Sequence, residues 1–267
     1  MFDAAQLGVG LLLALAIALL AGRAGALSVS GMAAATLVGA VTFGLGGWIP
    51  AILLVTFFVS SSALSQMGSR RKRRLTEKFS KGSRRDFAQV MANGAIAAVS
   101  SALFGLGFGP IWLAAAAGAL AAVTADTWGT ELGVLADARP RKITDWSLAE
   151  VGTSGAVSLE GSLATVAGSV LLAGMAAMLS GQPALGLAAV IGGVMGAFVD
   201  SLLGASAQAS FYCPQCDRQT ERSPLHSCGT ETVHVGGWRW LDNDVVNGLA
   251  SLSGALTAVL LYRVAGL

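Results

Sequence analysis

The sequence predicts an all-α protein, a polytopic bundle of about eight transmembrane helices that carries a small Cys/His loop on its cytoplasmic side. Three observations lead there. Of the 267 residues, 54% are hydrophobic and 12% are charged, about half the charge of a typical soluble domain. Apolar stretches of about 17 to 25 residues, the length that crosses a bilayer as helix, recur along the chain. No polar segment is long enough to bury a core alone, so residues 1–267 read as a single transmembrane domain.

The apolar stretches lie near 5–22, 27–47, 49–66, 90–109, 111–126, 162–180, 184–207 and 246–265, the fifth being short and the second and third nearly fused through Gly46, Gly47 and Pro50. The first is read as a retained span, because Asp3 stands where a signal peptide has a basic region and no small-residue cleavage site follows. Small residues recur four apart, as at Ala40 and Gly44, Gly129 and Gly133, and Gly192 and Gly196, a spacing that lets helix backbones approach closely in lipid.

Charge sets the orientation. Nine of the 17 Lys and Arg fall in "SRRKRRLTEKFSKGSRRDF", within the 67–88 loop, and short basic loops stay on the cytoplasmic side. Counting spans from that loop puts both termini outside and the segments 127–161 and 208–245 inside. All the long polar segments then share one aqueous face. The net charge of +2 adds little, since the basic residues are clustered, and such a cluster also suits anionic lipid headgroups.

Ionisable groups in or beside a span are costly, so each is a candidate for function. In "TADTWGTELG", helical geometry puts Thr127 and Glu131 on one face, with Asp126 and Thr130 on the adjacent one, a set suited to a hard metal ion or a phosphate. In "GAFVDSLLGASAQ", Asp200, Gly204 and Gln208 share a helix face beside Ser201, and Gly204 would admit a bulky ligand to the backbone. In "WLDNDVVNG", Asp242 or Asn243 serves as a helix N-cap, which leaves Asp244 and Asn247 for function, with Asn243 a turn from Asn247.

"VGTSGAVSLEGSLA" supplies Gly152, Thr153, Ser154, Gly155 and Glu160 just before a span, where backbone N–H groups in a Gly-rich turn would cradle phosphate, although no Walker A pattern occurs. "KGSRRDFAQVMANG" offers Lys81, Arg84, Arg85, Asp86 and Asn93, and arginine forks match phosphate geometry.

The Cys/His loop, 208–245, holds all three cysteines and both histidines. Cys213 and Cys216 have the C-x-x-C spacing of a zinc turn, and Cys228 with His226 or His234 would complete a tetrahedron around a structural Zn²⁺. Redox or unpaired thiols are the other reading; a closed four-ligand site leaves no position for a reactive water. With both histidines in that loop, no histidine base remains for nucleophilic catalysis. Phosphoryl transfer fits that limit, since it depends on positioning and on cations that neutralise phosphate.

Taken together and in this order, "KGSRRDFAQVMANG", "ADTWGTELG", "GTSGAVSLEGSLA", "VDSLLGASAQ" and "NDVVN" resemble one integral membrane family. It includes the phytyl-phosphate kinase of plant chloroplasts and uncharacterised bacterial, archaeal and animal homologues. It is more distantly similar to CTP-dependent phytol and dolichol kinases and phosphatidate cytidylyltransferases. The resemblance implies a membrane kinase that moves a phosphoryl group from a nucleoside triphosphate, CTP favoured, to an isoprenoid monophosphate. By it, Lys81, Arg84, Arg85 and Asp86 match a basic nucleotide-facing motif, and Asp126, Glu131 and Asp200 match acidic metal-facing positions. On this reading Mg²⁺ is held by those three acids, with Asp244 as a further ligand. The expected partners are the membrane, an isoprenoid phosphate lipid and a nucleoside triphosphate, and no nucleic acid. The alternatives are a lipid cytidylyltransferase and a transporter or flippase of lipid-linked phosphates.

Overall fold

A computed structural model describes residues 4–67, 84–136 and 139–266. Among the described residues, eight helices are each long and apolar enough to span a membrane: α1 Ala4–Arg23, α2 Val29–Gly46, α3 Trp48–Gln66, α4 Phe87–Gly105, α5 Ile111–Gly133, α6 Leu159–Ser180, α7 Pro183–Ser206 and α8 Asn243–Val264. The expected class and span number hold. The fifth span is not short: α5 continues through "TADTWGTELG" to Gly133. Hydropathy loses it at Asp126 because the later residues are polar, yet neighbouring helices shield them from lipid, so the helix need not be apolar there.

α5 forms the core. Every residue from Leu113 to Ala125 is buried, and α3, α4, α6, α7 and α8 all pack against it. Its alanines and glycines make this possible, since small side chains let backbones meet in the absence of a strong hydrophobic drive between helices. A methyl on Gly118 would stand 2.5 Å from the Gly254 carbonyl of α8, and one on Gly192 of α7 would meet that same carbonyl at 2.5 Å. Gly196 likewise admits the Ala250 carbonyl, at 2.7 Å from where its Cβ would be. α1 sits at the rim against α2, with Gln6 Nε2 donating to the carbonyls of Phe43 at 3.0 Å and Gly44 at 3.2 Å.

Successive crossings place the turns at Gly46–Trp48, Gly105–Ile111 and Ser180–Pro183 at one end and the connections before α6 and α8 at the other. Residue 27 bridges to residue 85 there, through Arg85 N–H to Ala26 C=O at 3.0 Å and Ser28 N–H to Arg85 C=O at 3.0 Å. The connection before α6 carries a two-stranded ribbon, β1 Arg141–Lys142 with β2 Ala156–Val157. The one before α8 folds as a three-stranded antiparallel sheet ordered β4-β3-β5, from β3 Ser210–Cys213, β4 Arg218–Thr220 and β5 Val233–Gly236. Trp238 and Trp240 stack at 5.6 Å beyond β5 and are both exposed.

Candidate functional site

At the polar end of α5 the bundle opens into a cavity of about 490 Å³. It is lined by Asp126, Thr127, Thr130 and Glu131 of α5, Asp200 and Ser201 of α7, Asn243 and Asn247 of α8, Arg85 and Asn93 at the start of α4, and the Gly152–Gly155 turn. These residues come from all five motifs, the fifth being the start of α8.

The acidic groups converge. The carboxyls of Asp126 and Asp200 lie within hydrogen-bonding reach of each other, Glu131 is an electrostatic neighbour of Asp126, and Glu221 from the Cys/His loop is a neighbour of Asp200. Asp200 Oδ2 is buried with no hydrogen-bond partner. Oxygen atoms gathered in this way suit a hard divalent cation. Thr127 is committed otherwise: its hydroxyl donates to the Val123 carbonyl at 2.7 Å.

Arg85 is the single basic side chain among the described residues lining the cavity. Its Nη1 donates to Ser62 Oγ at 3.0 Å, and the guanidinium stands over the Phe57 and Phe58 rings at 5.8 and 5.6 Å. Burial lowers its pKa and the charge of Glu131 works the other way. Glu131 also accepts a hydrogen bond from Ser65 on α3.

The other sequence candidates fall elsewhere. Lys81 lies outside the described residues. Arg84 is exposed and does not line the cavity. Asp86 is the N-cap of α4 in a reciprocal capping box: its carboxylate accepts from Gln89 N–H at 3.0 Å, and Gln89 Oε1 accepts from Asp86 N–H at 3.2 Å. Glu160 is exposed on the first turn of α6, where an acid complements the helix dipole. Asp244 is not among the cavity-lining residues, since at about 100° per residue it turns away from the line through Asn243 and Asn247.

Gly204 admits protein, not ligand. The Gly152–Gly155 turn packs on it, and a methyl there would stand 2.7 Å from Ser154 Oγ and 3.1 Å from Gly155 N. Gln208 holds the same turn by accepting from Ser154 Oγ at 3.0 Å. Within the turn, Thr153 N–H already donates to the Glu150 carbonyl at 3.1 Å, so that amide is unavailable to a phosphate. Ser65 and Glu221 are among the lining residues that escaped the sequence analysis. Ser65 sits in a serine-rich helix end, "SSSALS", that reads as part of an apolar span, and Glu221 sits in a loop that reads as a metal knuckle.

In that loop the ligand-type atoms of Cys213, Cys216, His226 and Cys228 all lie within 4.8 Å of one another. Cys213 Sγ is 3.6 Å from Cys228 Sγ, and His226 Nδ1 is 3.3 Å from the same sulfur. Thiolates about 2.3 Å from a central zinc stand about 3.8 Å apart in a tetrahedron, so the four donors fit that ion. The choice between histidines is thereby made: His234, on β5, packs edge-on against Phe211 at 5.5 Å. Hydrogen bonds from Thr230 and His226 hold Cys228 down to about 6, and the hydrogen bond between Cys216 and Cys228 pushes Cys216 up to about 11.

No solved structure matches the chain significantly. Among curated proteins it is 32% identical to Protein PGR of Arabidopsis thaliana, over 85% of each chain. It is 29% identical to an uncharacterised membrane protein of Methanocaldococcus jannaschii, over 96% of this chain and 94% of that one. It is also 26% identical to the chloroplastic Protein VTE6 of Arabidopsis thaliana, over 89% of this chain and 66% of that one. Residues 12–255 match the sequence profile of the integral membrane protein family DUF92, and the chain belongs to that family.

Proposed function

We propose that this protein is a membrane phosphotransferase that converts an isoprenoid monophosphate to the diphosphate with a nucleoside triphosphate, CTP favoured, at the cytoplasmic face. The observation that carries the reading is the convergence of Asp126, Glu131 and Asp200 with Arg85 and three asparagines, Asn93, Asn243 and Asn247, in one cavity at the polar end of the bundle. Buried acids of this kind repel the phosphates of both substrates unless a cation stands between them. Mg²⁺ fits the oxygen donors of Asp126, Glu131 and Asp200, and when bound it would neutralise phosphate charge. The buried and unpartnered Asp200 Oδ2 is the donor most in need of such an ion.

The reaction needs no base. An oxygen of the lipid phosphate monoester is already anionic; it attacks the γ-phosphorus, the bond between that phosphorus and the β,γ-bridging oxygen breaks, and the nucleoside diphosphate leaves with the electron pair. Arg85 would hold one phosphate, and Asn243 and Asn247 would orient another by hydrogen bonds. The family resemblance to a chloroplast phytyl-phosphate kinase supports the substrate class.

The test uses purified protein in lipid nanodiscs with Mg²⁺, a labelled nucleotide panel and prenyl monophosphates. Prenyl diphosphate together with nucleoside diphosphate is the expected outcome. Pyrophosphate with a CMP-linked lipid identifies a cytidylyltransferase instead. Nucleotide-independent movement of the lipid phosphate between leaflets, without turnover, identifies a transporter.

A further inference from the structure

Directly beneath Arg85 lies a second cavity, of about 90 Å³, whose lining is almost wholly apolar. α1, α2, α3 and α4 all contribute to it, with Ala18, Ala35, Phe58 and Val90 among its walls. It shares Arg85, Gln89 and Asn93 with the polar cavity, so the two spaces meet at those three side chains. From Gln89 down to Leu54 it reaches about 15 to 20 Å below the polar face, at 1.5 Å per helical residue. Ile17 of α1 and Val55 of α3 line it while remaining 39% and 40% exposed on the flank of the bundle, so the apolar space opens toward lipid between those two helices.

We propose that this pocket is the tail subsite of the lipid phosphate, receiving the isoprene units next to the headgroup, and that Arg85 binds the phosphate of that lipid and not the phosphates of the nucleotide. The inference rests on the phosphotransferase reading for the headgroup chemistry. Three features decide the occupant. A molecule that touches both cavities must have a charged end at Arg85 and an apolar body below it. Arg85 is held for that position, with its guanidinium over Phe57 and Phe58 and anchored to Ser62. The lateral opening lets a membrane-resident chain enter sideways without crossing water. The nucleotide then approaches from the other wall, which the Gly152–Gly155 turn and the start of α8 form.

The binding test needs no turnover. Wild-type protein in nanodiscs, without nucleotide, is irradiated with a geranylgeranyl monophosphate that carries a diazirine on its first isoprene unit, and the adducts are mapped by mass spectrometry. Adducts are expected on α1 to α4 at pocket residues such as Ala35, Val55 and Phe58, and excess phosphatidate should compete weakly. Adducts confined to α6 and α7 overturn the proposal, and equal competition by phosphatidate shows a general acyl-chain groove and overturns the isoprenoid assignment.

The kinetic test uses Val55→Trp, which fills the opening. It should raise KM for geranylgeranyl monophosphate about tenfold or more and KM for dimethylallyl monophosphate by much less, with KM for nucleotide unchanged. Val59→Trp, on the same helix but 58% exposed and outside the pocket, should resemble wild type. An unchanged ratio between long and short substrates in Val55→Trp sinks the subsite. If no nucleotide is ever turned over, yet adducts map to the pocket and disappear in Arg85→Ala, the tail subsite stands and the kinase reading falls.

Discussion

Asp126 of α5 and Asp200 of α7 bring their carboxyl groups within hydrogen-bonding reach of each other in the floor of the polar cavity. Two acids that close, with Glu131 and Glu221 nearby, repel one another unless a proton or a cation stands between them. Asp126→Asn and Asp200→Asn should therefore relieve repulsion, leaving thermal stability equal to or above wild type, while turnover falls by about two orders of magnitude or more if a metal ion supplies several kcal/mol to the transition state. Turnover in the presence of Mg²⁺ and of EDTA, measured beside melting curves, checks both halves.

Arg84 and Arg85 are adjacent in sequence and different in place. Arg85→Ala should lower kcat/KM by about 10²-fold through loss of a charge-assisted phosphate contact, and Arg85→Lys should recover little, because an ammonium cannot reproduce the fork or lie flat on Phe57 and Phe58. Arg84→Ala, exposed and off the cavity, should leave kcat/KM within about twofold, the range of surface substitutions. Steady-state kinetics on the three variants reads the difference.

The Gly152–Gly155 turn depends on its last glycine. Gly155 has φ +70°, and a methyl there would stand 2.5 Å from the Ser201 carbonyl. Gly155→Ala should cost about 1–2 kcal/mol for the left-handed conformation alone, with more from the collision, and should release the turn from α7. Gly174→Ala, in α6 with nothing within 4 Å, is the matched control and should stabilise slightly through helix propensity. Melting curves in one detergent compare the pair.

The Cys/His knuckle should contain about one zinc per chain, as a closed tetrahedral site does. Cys213→Ser and His226→Ala should each lose the metal and lower the melting temperature, whereas His234→Ala, whose ring serves Phe211 and not the four-donor cluster, should keep the zinc. Elemental analysis of the purified variants decides it.

Because the knuckle also carries Glu221 to the cavity, losing the metal should reach the chemistry. Glu221→Gln should change the apparent Mg²⁺ requirement while retaining zinc. A variant whose Mg²⁺ titration matches wild type would place Glu221 outside the metal's surroundings.

Much of this was readable in advance, and for a physical reason: a chain in lipid must satisfy its backbone internally, so long apolar runs have few fates other than helical spans. The acids Asp126, Glu131 and Asp200 stood out because charge in such runs is costly. The finer placements were not readable. Asp86 fits a capping box with Gln89 as well as it fits a ligand set with Arg84 and Arg85, and only the structure shows which was used. Gly204 looked like room for a ligand because its filler, Ser154, lies in a remote loop. Ser65 is a ligand-side residue only once α3 has packed beside Glu131, a pairing that no local pattern carries. The choice of His226 over His234 was settled by the pairing of β3 with β5, which turns His234 onto Phe211.

The enclosure of α5 governs how this chain can vary over evolutionary time. At Gly118 even one added methyl would meet Ala258 Cβ at 2.5 Å, whereas α1 presents Leu12 and Leu20 to lipid, where one aliphatic side chain serves as well as another. Tolerance to substitution therefore rises steeply from axis to rim. The outer helices are free to drift toward a thicker or thinner bilayer, or one of different lipid composition, while the axis and its carboxylates stay as they are, so a single reaction centre can be carried into very different membranes by changing only its outer wall.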